Sequence, residues 1–201
     1  MIKTATIDEY TTALAAKTST PGGGAAAAIC GAQALALVEM VCNFTHGNDA
    51  LVSPILKRAH TNREAMLSFG DQDIICFEAL MASYKLSKTT EQEALKRSGT
   101  IQSCLIAAAT VPLRMIELLH MLVPDLQCLA RLGNKNLITD VGISASLTQS
   151  ALVSSRLNVL INLRQIRDSK FKADAQSSLQ ALMADLIALQ KIVDQISEGL
   201  S

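Results

Sequence analysis

Residues Thr18 to Val38 carry no charge, and inside that run Thr20-Pro21-Gly22-Gly23-Gly24 opens directly into Ala25-Ala26-Ala27-Ala28-Ile29-Cys30-Gly31-Ala32. Few folds accommodate this. Three adjacent glycines weaken any helix, so they mark a turn or a place where something approaches the backbone closely. The small side chains after them let a second helix lie close against the first. The helix start also leaves backbone N–H groups free at a positive dipole end, where an anion docks. A tight inter-helix turn explains the same residues, and both readings stand at this point. The run is not a Walker loop, because no Gly-Lys-Ser/Thr follows. Nor is it a dinucleotide fingerprint, because no strand precedes it and the glycine spacing differs.

The rest of the chain is equally biased toward helix. The whole chain has 28 Ala and 28 Leu against two Tyr, four Phe and no Trp. Ala and Leu favour helices, whereas the aromatic and β-branched residues that favour strands are scarce. The 201 residues therefore predict one all-α domain over 1–201, an up-and-down bundle of about six helices with long central ones. The predicted helices run from Ile7 to Ala16, Gly24 to Thr45, Asp49 to Leu86, Thr90 to Leu122, Thr139 to Arg167 and Ala173 to Glu198. Pro54 is expected in the first turn of the third helix. Pro112 is expected to kink the fourth, with Pro124 to Leu132 as a short separate segment. Thr90-Glu91-Gln92-Glu93 is a capping-box pattern. In the last helix Leu179, Leu182, Leu186, Leu189, Val193, Ile196 and Leu200 step by three and four, which suits a bundle wall or a subunit interface.

Eighteen basic and eighteen acidic residues cancel, and no basic block points to nucleic acid or to a membrane surface. The Gly/Ala-rich uncharged run, with Pro21 and Gln33 in it, makes a poor membrane span. The N-terminal residues lack a signal-peptide core, and five scattered cysteines without a CxxC pair fit a reducing cytoplasm. The histidines, His46, His60 and His120, lack metal-ligand spacing, so no metal is expected.

Asp73, Phe77 and Tyr84 share one helix face. With Phe77 inward, Asp73 falls at the core boundary, where burial raises a carboxyl pKa. Lys88 closes that helix, where a cation also suits the dipole. In Gly133-Asn134-Lys135-Asn136-Leu137-Ile138-Thr139-Asp140, either Thr139 or Asp140 is able to cap the next helix. Asn158 and Asn162 lie four apart in an apolar stretch and need partners, from another helix or from a ligand.

Together these segments, with Arg97 and Pro112-Leu113 between them, resemble the cyclodeaminase/cyclohydrolase family of folate one-carbon enzymes over nearly the whole chain. Two positions depart from the family pattern: Leu86-Ser87-Lys88 stands for Leu-Pro-Lys, and Thr139-Asp140 for Ser-Asp. The resemblance implies a homodimer whose cleft binds a tetrahydrofolate derivative without metal or redox cofactor. It implies catalytic roles for Asp73, Lys88 and Asp140. It implies substrate binding by Pro21, Gly22, Gly23, Gly24, Asn134, Asn136, Thr139, Asn158 and Asn162. Methenyltetrahydrofolate hydrolysis is the expected reaction. Formiminotetrahydrofolate cyclisation with loss of ammonia is the alternative, and a non-catalytic folate-binding or interaction protein is a third reading.

Overall fold

The computed structural model describes residues 1–200. Six α-helices follow a short 3-10 turn at Ile2–Thr4: α1 (Ile7–Ala15), α2 (Gly23–Asn43), α3 (Asp49–Tyr84), α4 (Glu91–Leu132), α5 (Ile138–Leu163) and α6 (Ser169–Gly199). No strand occurs among the described residues. Helices α2 to α5 form an up-and-down core in which α2 packs on α3 and α5, and α4 packs on the same two. Helix α6 closes the α4–α5 side.

The close approach expected of α2 is realised inside the subunit. Ala25, Ala27, Ala28, Gly31, Ala32 and Ala34 are all buried. A side chain at Gly31 would collide with Met66 of α3, and one at Gly70 would meet Ile2 and press on Ala28. The α6 stripe is likewise an intrachain wall. Leu179, Leu182 and Leu189 are buried, Leu186, Val193 and Ile196 pack against the core, and only Leu200 is well exposed. Helices α2 and α4 are long and apolar enough to span a membrane, but 56% of each apolar window is buried within the bundle.

Three expectations need correcting. Helix α4 runs unbroken through Pro112 and Pro124, so Pro124–Leu132 is no separate segment. Proline costs a helix one hydrogen bond and a steric adjustment, and burial of Leu118, Leu119, Leu122, Val123, Leu126 and Leu129 around it offsets that loss. Pro54 lies in the second turn of α3, not the first. Neither Thr139 nor Asp140 caps α5. Leu137 occupies the N-cap without a side-chain bond, and the two residues fall inside the first turn. The capping box at Thr90 and Glu93 is present, and a second one joins Thr6 to Glu9 at the start of α1.

Candidate functional site

The start of α2 is where the sequence motifs converge. Gly22 is its N-cap, in extended backbone and without a side-chain cap. The missing cap comes from another helix. The Asp73 carboxyl of α3 sits so close to Gly24 that a Cβ there would overlap it. Burial pushes the Asp73 pKa above the ordinary 3.8, while a hydrogen bond from the Ala25 backbone N–H pulls it partly back. The protein itself thus supplies the anion that a free helix N-terminus attracts. Of the three adjacent glycines only Gly24 is tight. At Gly23 an added Cβ would lie 3.8 Å from Asn158, an ordinary contact, and neither Gly22 nor Gly23 has positive φ. The close approach expected of the three glycines therefore falls on Gly24.

Asp73 faces a cavity of about 280 Å³ lined by Ser19, Thr20, Gly22, Gly23 and Gly24, by Phe77, Leu80, Met81 and Tyr84 of α3, by Ala108 of α4, and by Asn158, Ile161, Asn162 and Gln165. Asp73 is its only carboxylate. Asn158 donates to the Ser154 carbonyl at 3.0 Å and Asn162 to the Asn158 carbonyl at 2.9 Å, both along α5. Their amide oxygens keep accepting capacity at the cavity wall. The Tyr84 hydroxyl donates to Gln165 Oε1 at 2.9 Å, tying α3 to the end of α5. Arg97 Nη2 donates to the Tyr84 carbonyl at 3.0 Å and steadies the same corner.

Sequence reasoning overlooked Gln165, although it continues the spacing of Asn158 and Asn162 along one helix face. It also overlooked Met81, which shares a face with Phe77 and Tyr84. Asp73, Gly22, Gly23, Gly24, Asn158 and Asn162 are brought together in the cavity. Pro21, half-buried, precedes the glycines but does not line it.

Other motif residues lie elsewhere. Lys88 is exposed in the α3–α4 turn and does not line the cavity. That turn is held by Ser87, whose hydroxyl donates to Glu93 Oε2 at 2.9 Å and meets Thr89 Oγ1 at 3.1 Å. The hydroxyl thereby restrains the backbone where the family pattern has a proline. Asn134, Asn136, Thr139 and Asp140 stand at the opposite end of α2. The 21 residues of α2 at 1.5 Å each put that end about 30 Å from the glycines. There Asn134 donates to the Phe44 carbonyl at 2.7 Å and accepts from the Asn136 N–H at 3.0 Å, so it closes the end of α2. Thr139 edges an apolar groove with Ile143, Leu147, Val193 and Leu200. Asp140 is half-buried, and its side chain makes no hydrogen bond or ion pair among the described residues.

A helical bundle with a half-buried carboxylate set between a glycine-rich helix start and a pair of asparagines defines a small-molecule site of a specific class. The chain belongs to the formiminotransferase-cyclodeaminase family, whose model matches residues 6–181. It is 33% identical over 192 residues to methenyltetrahydrofolate cyclohydrolase of Methylorubrum extorquens, covering 92% of both chains. It is 29% identical over 187 residues to formimidoyltransferase-cyclodeaminase of Rattus norvegicus, covering 90% of this chain but 35% of that longer protein. Among solved structures, formiminotetrahydrofolate cyclodeaminase of Thermotoga maritima superposes with a TM-score of 0.88 at 30% identity, over 100% of this chain and 99% of that one.

Proposed function

We propose that this chain is a folate one-carbon enzyme that hydrolyses 5,10-methenyltetrahydrofolate to 10-formyltetrahydrofolate. The observation that carries the reading is Asp73, a carboxylate of raised pKa seated at the start of α2 in a cavity otherwise lined by neutral groups. Similarity to a cyclohydrolase over 92% of both chains supports the choice of reaction.

The chemistry suits such a group. The methenyl carbon is held between N5 and N10 in a cationic amidinium, which an ionised carboxylate complements. Asp73 accepts a proton from water as the water oxygen bonds to that carbon, giving a neutral tetrahedral carbinol. The C–N5 bond then breaks, its electron pair goes to N5, and N5 takes the proton from Asp73. The carbinol O–H proton leaves to solvent as the formyl C=O forms, so one proton is released per turnover. Lys88, exposed in the α3–α4 turn just beyond Tyr84, shares proton transfer, and Asp140 and Asn134, about 30 Å from this cavity in the same subunit, position pterin or water from the second subunit of the homodimer. Asn158 and Asn162, with the glycine loop, bind the substrate. A positioned acid or base contributes about 10²–10⁴-fold. No metal or redox cofactor is required by these steps. The protein acts as a cytoplasmic homodimer without nucleic-acid or membrane partners.

The second reading is cyclisation of 5-formiminotetrahydrofolate, in which N10 adds to the formimino carbon and ammonia departs with a proton. The Thermotoga maritima structure, similar over the full chain, favours it. An absorbance assay offering each substrate separately decides. Turnover of methenyltetrahydrofolate alone is the expected result, turnover of the formimino compound alone establishes the alternative, and binding without turnover of either overturns both.

A further inference from the structure

The α5 side of the Asp73 cavity carries three side-chain amides in a row, those of Asn158, Asn162 and Gln165. They stand four and three residues apart and so share one face. Asn158 is at the Asp73 end, where it neighbours Gly23 as Asp73 neighbours Gly24. Gln165 is seven residues on, about 10 Å at helical rise, and lies exposed at the mouth beside Tyr84 of α3. The α3 side is apolar there, with Phe77, Leu80 and Met81.

An amide offers an acceptor at one end and donors at the other, and here a hydrogen bond decides which end each one keeps free. Asn158 and Asn162 turn their NH2 ends to the Ser154 and Asn158 carbonyls, at 3.0 and 2.9 Å, so each keeps its oxygen for the cavity. Gln165 is turned the other way. Its Oε1 accepts from the Tyr84 hydroxyl at 2.9 Å, so its NH2 is the end without a partner among the described residues. The flipped amide would leave the Tyr84 proton without an acceptor. The backbone beneath it is fixed as well. The Gln165 N–H donates to the Asn162 carbonyl at 3.0 Å, and its own carbonyl accepts from Gln102 Nε2 of α4 at 3.0 Å. From Asp73 outward the wall therefore reads acceptor, acceptor, donor.

We propose that this row reads the pyrimidinone edge of the pterin ring, with Gln165 as the residue that sets specificity and Tyr84 as the residue that positions it. The inference deepens the folate reading and rests on it. A 2-aminopyrimidin-4-one ring carries N–H donors at its 2-amino group and at N3, flanked on either side by an acceptor, O4 or N1. In either in-plane sense it presents donor, donor, acceptor, the complement of the wall. A ring lying along α5 keeps its N5 end, where the one-carbon unit is bonded, at Asp73 and its pyrimidinone end toward Gln165. Its faces then lie against the apolar α3 side. A few placed polar groups in an otherwise apolar pocket are what fix a ligand's orientation. Spacing along the chain puts Gln165 on the wall, and the Tyr84 hydroxyl makes it a donor there.

The test is tetrahydrofolate binding by calorimetry, beside turnover of methenyltetrahydrofolate, in three variants. Gln165→Met has neither donor nor acceptor. Gln165→Glu keeps the acceptor for Tyr84 but loses the donor. Tyr84→Phe frees the amide to turn. Each should bind tetrahydrofolate about two- to tenfold more weakly, with the turnover loss falling on KM rather than kcat. If Gln165 only braces the corner, Gln165→Glu binds like the parent, and that overturns the donor role, as does parental binding by Gln165→Met. In the Gln165→Met background, Tyr84→Phe should add nothing, and a further loss overturns its action through Gln165. The 2-desamino counterpart of tetrahydrofolate lacks the amino donors and should bind the parent more weakly by about tenfold or more. Equal binding of the two overturns the assignment of the ring edge. A parent that binds no tetrahydrofolate and turns over neither substrate defeats the folate reading and this inference with it. A parent active on folates, with variants that match it, defeats the inference alone.

Discussion

Gly24→Ala isolates the contact on which the site is built. Gly24 is the second residue of α2 and is buried. In an ordinary helix this substitution stabilises by about 0.5–1 kcal/mol, because alanine gives up less backbone freedom on folding. Here the new Cβ overlaps the γ-carbon and both oxygens of Asp73. The carboxylate must swing away and lose the Ala25 N–H, or the α2–α3 pair must part. Overpacking costs about 1–3 kcal/mol, so a net destabilisation of about 1–2 kcal/mol is expected. In a chain of this size that lowers Tm by about 2–8 °C. Displacement of the proton-transfer group should cut kcat by about a hundredfold or more. Gly23→Ala, with only an ordinary contact to Asn158 at 3.8 Å, should keep parental stability. Thermal melts and turnover of both variants, repeated in an Asp73→Ala background, form a double-mutant cycle. Without the carboxylate, Gly24→Ala should become stabilising. Equal effects with and without Asp73 would refute the claim that these two residues share the space.

Asp73→Asn, like Lys88→Met, should lower kcat at least about a hundredfold with much less change in binding. In the parent, an activity limb should lie above the ordinary carboxylate value of 3.8 and vanish in Asp73→Asn. The stability consequence has a definite sign. A folded pKa raised above the unfolded one gives stability that is complete in acid and lost as pH rises through the raised value. Asp73→Asn should therefore gain stability relative to the parent at neutral pH and lose that advantage near pH 3, in paired denaturation curves. Arg58→Ala leaves buried Asp125 without its two bonds, at 3.2 and 2.5 Å. Arg58 is half exposed, which discounts the pair, so about 1–3 kcal/mol should be lost in urea titration with kcat unchanged. The Cys42 thiol, pushed up to about 12 by burial and by nearby Asp125, should be the last of the five cysteines to alkylate at pH 8, as followed by mass spectrometry.

The helices were legible in the sequence because their signals are local. Ala and Leu content, the Thr90 capping box and the stepping of Leu179, Leu182 and Leu189 are carried by residues near one another in the chain. What failed locally was overridden by packing, as in α4, where burial carries one helix through Pro112 and Pro124. The cavity was partly legible for the same reason. Asp73, Phe77 and Tyr84 share a face of one helix, as do Asn158 and Asn162, so each half of the wall was readable by itself. That the two halves face each other across Gly24 was not, because the contact is set by how α2, α3 and α5 pack. Which glycine is indispensable also depends on that packing.

The homodimer expectation shows the same limit from the other side. The two stretches the sequence offered for close packing, the small residues of α2 and the stripe of α6, are largely spent inside the subunit. The surplus apolar surface lies instead on α5, where Ile143, Val153, Leu157 and Ile161 alternate with buried Ala145, Leu152 and Val159. A helix apolar nearly all round must be covered on every side. Three of its neighbours are in the chain, α2, α4 and α6, and they leave one strip uncovered. That strip ends at the Asp73 cavity in one direction and at Asp140 in the other. The uncovered apolar strip and the Asp73 cavity therefore share one helix.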